Sequence, residues 1–223
     1  MEARSLLSIA LLVVFASGAA IAQDPLKVDA AHYNLVFENA SVRVLKIDYP
    51  AGDKSPMHQH PDAIVIPLGD AKVRFTTPDG KAEDTALASE SARYTPAVTH
   101  SPANIGTGRI DGLLVEFKSP KAGTAAMPAS RDGMGMKKLA EGPRAEAYRM
   151  TVAPTFEEPA GSTHEYDQIV ITLGPAPMSL AIDGKPAKTT WARGDAQFIG
   201  RGVPHASKNT GGKPVDLIIV YIK

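Results

Sequence analysis

His58, His60 and His100 are the residues of this 223-residue chain whose types and spacing best suit chemistry. Only six histidines occur, the others being His32, His164 and His205. Side chains two apart on a β-strand leave the same face, so His58 and His60 can present two imidazoles to one ion. His100 follows 40 positions after His60, far enough to arrive on another strand facing the pair. The chain has no cysteine, which excludes thiolate ligands and leaves imidazole, carboxylate and water as donors. Three imidazoles leave coordination positions open, as a catalytic or substrate-binding metal requires. Asp62, just past Pro61, has two readings: a carboxylate ligand beside the triad, or a cap on the turn it occupies. His32 lacks comparable neighbours and reads as a solvated or packing residue.

The other histidines gain meaning from repetition. AIVIPLG ending at Gly69 resembles QIVITLG ending at Gly174, and TPDGK ending at Lys81 resembles AIDGK ending at Lys185. His100 with Asn104 matches His205 with Asn209, and LLVEFK ending at Lys118 matches IIVYIK ending at Lys223. Gly69 and His100 are 31 positions apart, as are Gly174 and His205. Equal spacing across several landmarks marks a duplication. The second copy is poorer in imidazole. One alignment pairs His164 with His58 and Asp167 with Asp62; another pairs His164 with His60 and puts Ser162 at the first ligand place. His164, Asp167 and His205 then form a possible second site of two histidines and one carboxylate. A metal-free barrel with hydrogen-bonded polar residues is the alternative reading, and the lost imidazole favours it.

The elements that must position these residues read as strands. Ser41–Asp48, Ala63–Leu68, Ala71–Thr76 and Leu113–Phe117 are short apolar or alternating runs, and Pro78-Asp79-Gly80 is a turn signal. No segment sustains a helical period. The expected class is all-β, with residues 23–118 as the first domain and residues 145–223 as the second. Residues 119–144, rich in Gly, Pro, Ala and Ser, read as a linker. Asn104 and Asn209 read as turn-tying residues. Residues 1–22 read as an export signal: Arg4, an apolar run to Phe15, then Ala20-Ile21-Ala22 before Gln23. The expected location is therefore periplasmic or secreted, with no membrane association after signal removal. Basic and acidic residues number 24 each without clustering, which argues against nucleic acid as a partner.

The residues also resemble a family pattern. GDKSPMHQH, from Gly52 to His60, fits the first cupin motif, G-x5-H-x-H. GDAQFIGRGVPHASKN, from Gly194 to Asn209, fits the second motif, G-x5-P-x-G-x2-H-x3-N, with Gly200 in place of proline. In the first copy Pro96 and His100 to Asn104 fit that motif's end, one residue short. The chain thus resembles a bicupin over residues 40–118 and 145–223. The resemblance implies two tandem cupin-type jelly-roll barrels and one divalent transition metal (Fe, Mn, Ni, Cu or Zn) at His58, His60 and His100. Asp62 occupies the place of the motif's glutamate, but sits closer to His60 than the family pattern has it. A dioxygenase-like oxidoreductase acting on a small organic molecule is the implied activity; a non-catalytic binding protein for metal or small ligand is the alternative. Pairing through outer strands, giving a homodimer, is also implied.

Overall fold

A computed structural model describes residues 23–118, 128 and 130–223. The region read as an export signal lies outside these residues. A short helix, α1 (Pro25–Val28), precedes the strands. The first half then runs β1 (Tyr33–Glu38), β2 (Val42–Tyr49), β3 (His58–His60), β4 (Ala63–Pro67), β5 (Ala71–Thr76), β6 (Ala82–Leu87), β7 (Arg93–Thr95), β8 (Val98–Asn104) and β9 (Ile110–Phe117). The second half repeats it as β10 (Met134–Glu141), β11 (Ala145–Val152), β12 (Glu157–Ser162), β13 (Asp167–Thr172), β14 (Met178–Ile182), β15 (Lys185–Lys188), β16 (Ala196–Ile199), β17 (His205–Asn209) and β18 (Val215–Ile222).

The sheets are ordered β1-β2-β9-β4-β7 with β3-β8-β5-β6, and β10-β11-β18-β13-β16 with β12-β17-β14-β15. Each strand of the first pair has a counterpart at the same place in the second. The fold is two tandem jelly-roll barrels in which the named strands pair antiparallel, and the duplication seen in the spacing is a duplication of topology. One boundary differs from expectation: Met134–Glu141, inside the stretch read as a linker, is β10, which pairs along β11 from Met134↔Val152 to Glu141↔Glu146. Its glycine and lysine content masked it, because as an edge strand it buries little.

The long strands are buried on both faces, which explains their near-continuous apolar runs. Alternate residues Leu113, Val115 and Phe117 of β9 and Ile218, Val220 and Ile222 of β18 belong to one core shared between the barrels, with Ile64, Ile66, Ile169 and Ile171. The intervening residues point into their own barrels: Leu114 with Leu45 and Tyr49 in the first, and Leu217, Ile219 and Tyr221 in the second. Glu116 on β9 shares this inward parity and is 1% exposed. A carboxylate in that position needs partners, and it finds them at the histidines.

Turn chemistry sets the registers. β14 and β15 are joined through Asp183-Gly184, both at positive φ (51° and 70°), the geometry of a tight hairpin turn that glycine and aspartate accept. Asn104 donates to the carbonyls of Tyr49, Pro50 and Gly108 and accepts from the Gly106 amide. Asn209 ties Val152, Lys213 and Gly211 in the same way. Both asparagines therefore serve the turns, as their repeated spacing suggested.

Candidate metal centre

Antiparallel pairing of β3 with β8 sets His58 opposite His100 and His60 opposite Val98. This register gathers the three imidazoles: one ligand nitrogen from each of His58, His60 and His100 falls within 4.8 Å of the others. The hydrogen bonds behind the rings assign their tautomers. His60 donates from Nδ1 to Glu116 Oε1 at 2.6 Å. His58 donates from Nδ1 to the Pro56 carbonyl at 2.8 Å, with Ser55 Oγ 3.1 Å away. Ser55 in turn donates to Asp29, and Arg43 holds the other oxygen of Glu116. With protons on Nδ1, both rings aim an Nε2 lone pair inward.

The centre of the triad is consequently rich in lone pairs and poor in donors. The Nε2 atoms of His58 and His60 face each other at 2.9 Å. His100 Nε2 is buried without any hydrogen-bond partner among the described residues. Among the described residues only the Tyr33 hydroxyl, 3.1 Å from His58 Nε2, donates into the cluster. A cation, a proton or a donating water would relieve this convergence. Burial and the neighbouring rings hold His58 down at about 4 and His100 at about 3, so neither of these two rings takes up an extra proton near neutrality. A metal fits instead: two nitrogens about 2.1 Å from one ion and about 90° apart lie about 3 Å from each other. Second carboxylates behind ligating histidines are a recurrent feature of metal sites.

Asp62 is not among the converging ligands. Its oxygens accept from the Tyr94 hydroxyl (2.7 Å) and the Ala97 amide (2.8 Å), so it caps the turn and ties β4 to the β7–β8 connection. A single residue between it and His60 cannot carry the chain back to the site, and Asp62 begins the next strand's turn instead. His32 bridges Asp29 and Asp53 and stacks on Tyr49 at 4.2 Å, a packing role. Glu116, Arg43, Ser55, Asp29 and Tyr33 were missed by motif reading. Inward parity on β9 was the one signal that pointed to Glu116.

The triad opens on a cavity of about 530 Å³ inside the first barrel. Ile47, Val65, Val73, Phe75, Leu87 and Leu114 line it, with His60 and His100 at the wall. Phe75 stacks on His100 at 5.1 Å and holds the ring's orientation.

The second barrel brings together His164, His205 and Glu158, not Asp167. Asp167 accepts from the Arg201 amide at 2.7 Å and caps a turn, as Asp62 does. Ser162 pairs with His205 where His58 pairs with His100, so His164 stands in the place of His60 and Ser162 in that of His58. Glu158 pairs with Ser207, near the place Ser55 occupies in the first barrel. Burial would raise the Glu158 carboxyl, but hydrogen bonds from His164, His205 and Arg131 outweigh it and hold the group far below the ordinary carboxylate range. The space left here is about 60 Å³, room for little beyond water.

No family model matches this sequence, and no curated protein matches it. Solved structures do. AerE from Microcystis aeruginosa superposes with a TM-score of 0.64 at 14% identity, covering 86% of this chain and 97% of that one. A cupin 2 conserved barrel domain protein from Leptotrichia buccalis gives 0.57 at 11%, covering 86% and 88%. Salicylate 1,2-dioxygenase from Pseudaminobacter salicylatoxidans gives 0.62 at 9%, covering 85% and 76%. At these identities the likeness is one of fold: the chain has the two-barrel architecture of cupin proteins.

Proposed function

We propose that this protein is a metal-dependent cupin whose first barrel holds one divalent transition metal on His58, His60 and His100. The observation that carries the reading is the convergence of one ligand nitrogen from each of three imidazoles, with buried Glu116 behind His60, at the wall of a roomy apolar cavity. A metal there would supply Lewis acidity, and with a redox-active ion electron transfer, at coordination positions left open toward the cavity. The chain's own residues do the rest. Glu116 and the Pro56 carbonyl hold two rings in the ligating tautomer, and Phe75 packs the third. Burial keeps Tyr33 protonated, its phenol raised well above the ordinary range, so its hydroxyl can donate to a ligand oxygen near His58. The apolar lining selects a small organic molecule with a polar end and excludes bulk water.

A dioxygenase-like oxidation is the activity we favour, in part because one similar structure is a salicylate 1,2-dioxygenase. Residues 1–22 fit an export signal, making the protein periplasmic or secreted. An outer-strand homodimer would engage β1, whose Leu35 and Val36 are exposed.

Elemental analysis of the purified full chain beside His58→Ala and His100→Ala tests the site. The expected result is metal in the parent and its loss in both folded variants; unchanged stoichiometry would remove the site. Oxygen uptake across a panel of small hydroxylated aromatics tests the activity. Iron or copper with uptake supports it, whereas tight zinc with no turnover would make the protein a binding module.

A further inference from the structure

The Glu158, His164 and His205 cluster has the donor set of a two-histidine, one-carboxylate metal site, yet its proton arrangement is the reverse of the first barrel's. In the first barrel Glu116 stands behind His60 and takes its Nδ1 proton. Glu116 pairs with Ala63, and the equivalent pair in the second barrel is Tyr221 with Gln168. His164 has thus lost the carboxylate that would fix its ligating tautomer.

Arg131 fills the gap from the opposite side. Its Nη2 donates to His164 Nδ1 at 3.2 Å, and its Nη1 pairs with Glu158 Oε1. A guanidinium can only donate, so His164 Nδ1 accepts and the neutral ring carries its proton on Nε2. That proton points into the cluster, where Nε2 lies 3.2 Å from Glu158 Oε1 and 3.2 Å from His205 Nε2. His205, whose Nδ1 donates to the Val203 carbonyl, lies with Nε2 3.1 Å from Glu158 Oε2. The carboxylate's charge is met by Arg131, and the nitrogen that would face an ion is capped by hydrogen. Metal binding would require His164 to carry its proton on Nδ1, directly against the Arg131 N–H. Arginine in this position and an ion in the cluster exclude one another.

We propose that Glu158, His164 and His205 form a latent divalent-metal site that Arg131 keeps metal-free. Arg131 lies outside the strands, just before β10, and its side chain is 42% exposed while Glu158 is 8% exposed. The arginine can therefore leave without disturbing the barrel core, and the carboxylate it covers cannot. The first barrel is the working centre; the second carries its own internal cation.

Cobalt(II) titration of the full chain tests this, with the parent compared to Arg131→Met and to Arg131→Met/Glu158→Gln. Arg131→Met should add one equivalent of bound metal to whatever the parent binds, and the double variant should lose it. The increment is read against the parent's own stoichiometry, so it stands whether or not the first barrel binds. No increment in a folded Arg131→Met protein overturns the proposal, as does loss of metal from the parent on Glu158→Gln alone. A readout needing no variant is the imidazole 15N shifts of His164: an unprotonated Nδ1 and a protonated Nε2 are expected, and the opposite tautomer would also overturn it.

Discussion

Replacing Glu116 by glutamine tests whether the buried carboxylate prepares the triad or merely fills space. Glu116 is 1% exposed and accepts from both His60 Nδ1 and Arg43. Glutamine has nearly the same shape but one acceptor oxygen in place of two. If that oxygen faces Arg43, the amide NH₂ faces His60 and forces its proton onto Nε2, blocking the ligand atom. If it faces His60, the NH₂ meets the Arg43 donors. Loss of such supporting partners typically weakens metal affinity about 10- to 100-fold, or roughly 1.4 to 2.7 kcal/mol. Breaking a buried ion pair costs about 3–5 kcal/mol. Arg43 retains Asp24 and is 13% exposed, which puts the expected loss of metal-free stability near the lower end of that range. Chelator competition gives the affinity, and urea denaturation in chelator gives the stability separately. A folded Glu116→Gln protein that binds metal within twofold of the parent would refute the tautomer argument.

Three other outcomes follow from the same geometry. Because His58 and His100 sit at about 4 and about 3 when folded and near 6.5 when unfolded, the unfolded chain binds more protons between those values. Metal-free protein should therefore lose stability as pH falls from about 6.5 to 4, by on the order of 2–4 kcal/mol per ring; a urea midpoint no more pH-sensitive than that of a His58→Leu/His100→Leu variant would contradict this. Val65→Trp, projecting into the 530 Å³ cavity, should abolish binding of an apolar fluorescent probe while leaving metal content unchanged. Probe binding that survives would place the ligand elsewhere. Ile218→Ala, at a fully buried position in the core shared by the barrels, should destabilise the protein by about 2–5 kcal/mol in calorimetry, and a loss under 1 kcal/mol would show that this core is not closely packed.

Strand periodicity, repeat spacing and the i, i+2 histidine pair are local properties, and they were enough to reach the all-β class, the duplication and the triad His58, His60 and His100. A same-face pair depends only on the pleat, which any extended segment shares. Whether a third ring meets that pair, and what stands behind each ring, depends on register between strands distant in the chain. That is why Asp62 and Asp167 read as ligand candidates although both cap turns, and why Glu158 went unnoticed: its place six residues before His164 does not by itself show that the two side chains face each other. Glu116 and Arg131 are instructive opposites: a carboxylate in an apolar strand and an arginine in a Gly-rich stretch. Only packing reveals that one leaves a nitrogen bare for an ion while the other covers its counterpart with a proton. Hydrogen-bond direction belongs to the folded environment, since a histidine's tautomer is set by the atom it meets across the barrel.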